Sequence, residues 1–281
     1  MTSPGAPGPE TFLFLHAHPD DESIFTGGTI ARLARAGHRC VVVLATSGEA
    51  GRGAGPELGH VRQAEARLAC EVLGAARLIL LDHRDSGLSS DPRQQPWGAF
   101  AAAQEDVVAA QLADVVRHEG VSALITYDSH GIYGHPDHIH VHRVGARTAE
   151  MAGLESWYEA TIDREYLHFV DVHVTAIAGE AISAISAGPP LGSATVEITT
   201  VVNVQQVLAE KYAAIAAHRS QIDGDPGFGS GDRFSEVYGY EWYIRHGPPT
   251  AIESLDASSP VPYSSAGSVT PGRRSVDLVA F

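Results

Sequence analysis

Four short apolar runs, each ending abruptly in polar residues and followed by a helical pattern, constrain this chain more than any other feature. They are Phe12–Leu15, Cys40–Leu44, Leu78–Leu81 and Val121–Tyr127. Runs of this length without polar alternation read as strands buried on both faces. Between and after them lie stretches with apolar residues at helical spacing. These are Ile24 to Ala36, stopped by Gly37, then Glu57 to Leu73, closed by Gly74, then Phe100 to His118 and His138 to Met151. Strand and helix thus alternate over roughly the first 150 residues, which predicts an α/β fold. The expected form is a doubly wound, mostly parallel sheet with helices on both faces.

The second half is less regular. Trp157 to Val174 alternates and suggests short strands, while Val196 to Val204 is β-branched enough for another. Val204 to Ile222 reads as a helix with Val207, Leu208, Tyr212, Ile215 and Ala216 on one side, and Tyr238 to Ile244 as an aromatic strand. Gly188-Pro189-Pro190 breaks the stretch from Gly179 to Gly192. Residues 1–10 read as a flexible N-terminus, 11–246 as a single α/β domain and 247–281 as a Pro/Ser/Gly-rich extension.

Polar residues gather after the strands, at the carboxyl ends where open α/β sheets place their sites. His18-Pro19-Asp20-Asp21-Glu22 crowds three acids behind the first strand, a mutual repulsion that calls for a cation. His135-Pro136-Asp137-His138 follows the fourth strand. Pro136 suits the first position of a helix, on which His135 and His138 share a face. Two imidazoles and a carboxylate drawn from two strand ends make the open three-ligand set of a catalytic zinc.

Charge narrows the partners. With 34 acidic residues against 19 basic ones, the net charge of −15 argues against nucleic acid or an anionic membrane. No apolar run approaches the ~18 residues of a membrane span. Residues 1–10 lack the charged and apolar regions of a signal peptide, and Cys40 and Cys70 form no disulfide framework. A cytoplasmic location is therefore expected.

The two histidine motifs, in this order and each after a strand, make the chain resemble the zinc-dependent N-deacetylases of the PIG-L, or LmbE-like, family. The resemblance extends through Thr46-Ser47-Gly48-Glu49, Arg62 to Glu65, Arg84-Asp85-Ser86-Gly87 and Ala217-His218-Arg219-Ser220-Gln221, covering about residues 11–222. The run Tyr127 to His138 is most similar to the mycothiol-pathway branch, although His130 and Ile132 replace the Asn and Gly often found there, and the loop between Leu88 and Phe100 differs. The resemblance implies a Rossmann-like fold, one divalent ion per chain (zinc, or another divalent metal) and an N-acylated glucosamine-type substrate. It also implies His18, Asp21 and His138 as metal ligands, Asp20 as general base and His135 as support for the oxyanion. Tyr133 matches a tyrosine that swings over the site. Two other functions stay open. One is an amidase removing a larger acyl group from a mycothiol S-conjugate, and the other a non-catalytic sugar-binding protein on the same fold. An oligomer is compatible with either.

The chemistry of the residues agrees. A metal lowers the pKa of bound water from ~15.7 to about 7, and Asp20, next to Asp21, can accept the water proton. A protonated His135 is expected to donate to the oxyanion, and Asp20 or His135 to protonate the leaving amine. Glu49, Arg62 and Asp85 are candidates for binding sugar hydroxyls, or equally for a surface ion-pair network. Asp137 either orients a ligand histidine or serves as a helix-start acid. His16 is expected to pack in the core, and His140 and His142 to lie on the surface or support the site. Arg219-Ser220-Gln221 reads as helix-end packing, and Tyr133 either gates the site or packs on Trp97.

Overall fold

The computed structural model describes residues 8–53, 55, 57–173, 191–222 and 231–255. Five parallel strands form its centre. They are β1 (Thr11–His16), β2 (Arg39–Thr46), β3 (Arg77–His83), β4 (Ala123–Tyr127) and β5 (Ser156–Thr161), in the order β3-β2-β1-β4-β5. Two further strands, β6 (Thr200–Asn203) and β7 (Tyr240–His246), extend the β5 edge as β5-β7-β6, both pairings antiparallel. The sheet is therefore mixed, with the expected mostly parallel body. β1, β2 and β4 are buried nearly throughout, as uninterrupted apolar runs require. β3 is not the buried strand the sequence suggests. It has a neighbour on one side only, and its residues are half-buried or exposed.

The helices follow their strands, with instructive departures. Residues 24–36 form two helices, α1 (Asp21–Phe25) and α2 (Gly27–Arg35), because buried Thr26 leaves helical geometry to hydrogen-bond the Glu22 carbonyl and His16 Nε2. α2 then lies so close to Val204 that a Cβ on Gly28 would sit 2.4 Å from Val204 Cβ. α3 (Leu58–Leu73) ends at Gly74 in the left-handed conformation, as read from the sequence. The expected helix from Phe100 is delayed. Phe100–Ala102 is a single 3₁₀ turn, Ala103 is extended, and α4 spans Glu105–Glu119. The Ala101 N–H is bonded to the Asp137 carboxylate and the Ser86 hydroxyl.

A short turn, α5 (Gly131–Gly134), leads into α6 (Pro136–Ala152), where Pro136 takes the first position as expected. After β5, residues 164–173 form a helix, α7 (Arg164–His173), where short strands were expected. Residues 174–190, which include most of the Gly179–Gly192 stretch, lie outside the described residues. The strand expected over 196–204 contracts to β6, preceded by a 3₁₀ turn at Thr195–Glu197. The helix expected over 204–222 contracts to α8 (Leu208–Ala217) after a second 3₁₀ turn, and Tyr212 is 37% exposed at its edge. α9 (Gly231–Tyr238) has no counterpart in the sequence reading. Beyond Gly247, Thr250 caps α10 (Ala251–Ser254), whose Ala251 and Ile252 are buried. The packed chain therefore runs past the point where an extension was expected to begin. No helix among the described residues is long and apolar enough to cross a membrane.

Candidate active site

The loops after β1, β2, β3 and β4 meet at the carboxyl edge of the sheet. β1 and β4 are neighbours there, the position at which strand order reverses and a crevice opens. The first loop brings in His18, Asp20 and Asp21, the second Glu49, the third Asp85 and Ser86, and the fourth Asp128 to His138.

At the centre lies Asp21, 3% exposed. Its Oδ2 accepts the His18 backbone N–H at 2.8 Å and lies 3.4 Å from His18 Nδ1 and 3.3 Å from His138 Nε2. The side-chain nitrogens of His18, His135 and His138 also lie within 4.8 Å of one another. His18, Asp21 and His138 are thus brought together as anticipated, all buried.

Three observations fit a divalent cation among them. First, His18 is held between carboxylates, its Nε2 3.1 Å from Asp137 Oδ2 and 3.6 Å from Asp85 Oδ1 and its Nδ1 turned toward Asp21. Second, burial opposes charge on His18, yet Asp137, Asp21 and Asp85 overcome it and raise its pKa well above the ordinary value. A site that holds a proton on a buried imidazole offers the same carboxylates to a metal ion. Third, His138 is clamped largely by aromatic rings, while its Nε2 faces Asp21 Oδ2 and the Tyr133 hydroxyl, each at 3.3 Å. Tyr127 stacks on it at 4.5 Å, Phe25 meets it edge-on at 6.1 Å, and its buried Nδ1 has no partner among the described residues.

Asp137 is the support the sequence suggested. Besides His18, its carboxylate accepts the Ser86 N–H at 3.0 Å, the Ala101 N–H at 3.1 Å and the Ser86 hydroxyl. It thereby ties both ends of the β3–α4 loop to a candidate ligand.

Asp20 occupies a strained backbone, with φ of 107°. The Asp20 N–H reaches Glu22 Oε2 at 3.0 Å, and its carboxylate receives Arg62 Nη2 at 3.1 Å. Burial, with the charge of Asp21 added, pushes its pKa up to about 7 against the pull of Arg62. A carboxylate poised near neutrality beside a cation site suits a general base.

His135 corrects an expectation. Its Nδ1 accepts the Asp137 N–H at 3.1 Å, which an imidazolium cannot do, and burial together with His18 and His138 brings its pKa down to about 4. The ring is neutral at working pH, and its Nε2–H remains available as a donor.

Tyr133 is 36% exposed, with its hydroxyl 3.3 Å from His138 Nε2 and its ring stacked on Phe25 at 6.5 Å. It does not pack on Trp97, which stands 93% exposed.

Among the expected sugar contacts, Arg62 is buried and gives its guanidinium to the Gly48 and Pro19 carbonyls as well as to Asp20, so no surface ion-pair network exists there. Glu49 Oε1 accepts the Asp85 N–H at 3.1 Å, while its buried Oε2 has no partner among the described residues. Asp85 accepts the Gly87 N–H at 2.8 Å. Although burial opposes it, its bond to His18 lowers its pKa.

The remaining histidines divide. His16 is a core residue as expected, bonded to the Tyr127 hydroxyl and Thr26, each at 2.9 Å. His140 is not at the surface, being 5% exposed with its ring edge-on to Phe100 at 4.8 Å. His142 bonds the Tyr127 carbonyl at 3.0 Å. The sequence reading included His218 in the Ala217–Gln221 stretch of the resemblance but gave it no role of its own; it is buried with its Nε2 2.8 Å from Glu22 Oε1. Burial opposes charge on His218, but Glu22 raises its pKa, making an internal ion pair behind Asp20. Next to it, Ser220 binds the Glu65 carboxylate, which is the helix-end packing expected there.

Comparison with known proteins agrees with this geometry. Residues 13–149 match the family described as PIG-L, GlcNAc-PI de-N-acetylase. The 1D-myo-inositol 2-acetamido-2-deoxy-alpha-D-glucopyranoside deacetylase of Thermobispora bispora is 34% identical over 273 residues, spanning 84% of this chain and 88% of the relative. The fold is similar to N,N'-diacetylchitobiose deacetylase from Pyrococcus horikoshii, at 20% identity and TM-score 0.55, covering 85% of this chain and 84% of that one. It is also similar to the zinc-inhibited form of teicoplanin deacetylase Orf2, at 15% identity and TM-score 0.55, covering 83% and 97%.

Proposed function

The chain belongs to the PIG-L family of de-N-acetylases, and from that premise we propose that it removes the acetyl group from a glucosamine-inositol conjugate, with zinc as its native metal. The substrate reading rests on the name of the Thermobispora relative, matched over most of both chains. The observation that carries the chemistry is the placement of Asp21 Oδ2 3.4 Å from His18 Nδ1 and 3.3 Å from His138 Nε2, all buried, next to an Asp20 carboxylate of pKa about 7.

His18 Nδ1, Asp21 Oδ2 and His138 Nε2 would hold the ion. When bound, it supplies Lewis acidity and an activated water at neutral pH. Asp20 would accept a proton from the attacking water and return it to the nitrogen as the C–N bond breaks, giving acetic acid and a free amine. Glu22 holds the strained Asp20 backbone and Arg62 holds its carboxylate. As negative charge develops on the acetyl oxygen, the neutral His135 Nε2–H and the Tyr133 hydroxyl donate to it. Each preorganised donor of this kind is worth roughly 10²–10³-fold in turnover.

The test combines metal analysis of the purified protein with amine release from 1D-myo-inositol 2-acetamido-2-deoxy-alpha-D-glucopyranoside and from analogues bearing larger acyl groups. Stoichiometric divalent metal and preference for the acetyl compound are expected. Turnover that persists after metal is stripped, or preference for a larger acyl group, would overturn the assignment.

A further inference from the structure

Asp128 immediately follows β4 and is 1% exposed. Its carboxylate faces neither substrate nor candidate ligands. Oδ1 accepts the His130 N–H at 3.0 Å and the Ile132 N–H at 2.8 Å. Oδ2 accepts the Thr161 hydroxyl at 2.5 Å and the Ser193 hydroxyl at 3.5 Å. The main chain is fixed as well, since the Asp128 N–H bonds the Ala160 carbonyl and the Gly131 N–H returns to the Asp128 carbonyl. One buried carboxylate thus joins the end of β5 and the segment at Ser193 to the turn that carries Tyr133.

That turn would not hold its shape unaided. Ile132 has φ 64° and ψ −58°, near the rare, strained γ-turn of positive φ, and a β-branched residue is disfavoured there. Its side chain is fully buried, so it cannot relax by swinging outward. Two contacts hold it: the Asp128 carboxylate on its N–H and the Gly192 N–H on its carbonyl at 2.7 Å. Gly131 is pressed against α6, where an added Cβ would lie 2.7 Å from His138 Cβ. The reversal at Ile132 is what delivers the Tyr133 hydroxyl to 3.3 Å from His138 Nε2.

We propose that Asp128 is a positioning residue that acts through Ile132 to hold Tyr133 over the reacting centre. The inference rests on the reading of Tyr133 as a donor to the developing oxyanion. Removing the acceptor leaves the buried Ile132 amide and the part-buried His130 amide without their carboxylate partner, and the strained turn without its main restraint. Tyr133 then departs from its donor position, and a misplacement of about 1 Å is enough to cost roughly 10²-fold in rate. Metal binding is untouched, because neither His18, Asp21 nor His138 contacts Asp128.

The experiment is a double-mutant cycle on the metal-loaded enzyme, with kcat, KM and metal content measured for each protein. Asp128→Ala is expected to lower kcat roughly 10²-fold, with KM little changed and metal stoichiometric. Asp128→Asn keeps an oxygen facing the two amides and recovers most of that loss. In a Tyr133→Phe background, Asp128→Ala should add almost nothing, because the group it positions has no proton left to give. If the Asp128→Ala loss is as large in that background as in the wild type, Asp128 acts on something other than Tyr133 and the inference fails. Full activity of Tyr133→Phe alone is a different result, overturning the donor reading on which the inference stands. Should Asp128→Ala not fold, Thr161→Val removes one restraint on the carboxylate without a cavity. The same non-additivity is then required of it, in a smaller kcat loss.

Discussion

Asparagine in place of Asp20 keeps the shape of the side chain and removes its charge. In the metal-free protein burial, aided by the charge of Asp21, raises the Asp20 pKa to about 7 from an ordinary 3.8. A carboxyl whose folded pKa is raised binds more protons folded than unfolded. Its ionisation therefore erodes stability as pH climbs between those two values, and the loss is complete above the upper one. The gap corresponds to roughly 4 kcal/mol at most, an upper bound because repulsion from Asp21 is part of it and a bound cation cancels that part. With a chelator present at pH 8, Asp20→Asn should melt several degrees above the wild type, and the difference should narrow toward pH 4. Loaded with metal, the same variant should keep its metal and lose ~10²–10⁴-fold in turnover, the usual contribution of a general base. The wild-type kcat/KM should rise with pH through a limb that the variant lacks, lying below the metal-free value because the cation offsets the charge of Asp21. Near-normal turnover would mean that another group takes the proton from water. A variant less stable than the wild type at pH 8 would mean that the charged Asp20 supports the fold, against the burial argument.

Three further outcomes follow from the geometry. His18→Ala and His138→Ala should each lose stoichiometric metal by elemental analysis, whereas Asp137→Asn, which only loosens the His18 ring, should weaken metal affinity ~10–100-fold. His135→Ala should lower turnover ~10²–10³-fold yet leave the Asp20 limb in place, because His135, with its pKa lowered to about 4, does not supply it. Lys211 Nζ lies 2.6 Å from Glu241 Oε1, both side chains at most 2% exposed, and Glu241 also accepts the Gly28 and Thr29 amides that begin α2. Lys211→Met should therefore cost ~3–5 kcal/mol in urea denaturation, and adding Glu241→Gln should recover part of it.

The parallel core was legible because a strand buried on both faces leaves an unbroken apolar run, and β1, β2 and β4 are such strands. Edges were harder. β3 carries the same apolar pattern as β2, and only its place in the sheet, which no local pattern records, leaves it half covered. Helix bounds shifted where side-chain contacts fix the chain. Asp137 holds the Ala101 amide ahead of extended Ala103, and the Thr26 hydroxyl bonds His16 and the Glu22 carbonyl. α8 ends early because His218 turns inward to Glu22. Each of these contacts spans from four to nearly two hundred positions, beyond the reach of periodicity in all but the shortest case.

The candidate site was legible to the extent that its chemistry lies in contiguous motifs, and illegible where strain and long-range support decide. His18, Asp21 and His138 could be named because two short motifs contain them. Protonation states could not be read, since they depend on surroundings. His135 is neutral because a neighbouring amide and two imidazoles leave no room for its charge, and Asp20 is raised because it is buried beside Asp21. Three non-glycine residues among those described have positive φ, namely Asp20, Asp82 and Ile132. Two of the three stand in the loops that carry the candidate base and the candidate donor. Strain of this kind persists only where surrounding contacts outweigh it, here Glu22 and Arg62 at one residue and Asp128 and Gly192 at the other. The sequence reading let Tyr133 swing over the site, whereas Ile132 just before it is pinned from both sides. In both loops, local preference has yielded to the placement of one side chain, which is where a sequence is expected to stop predicting its own structure.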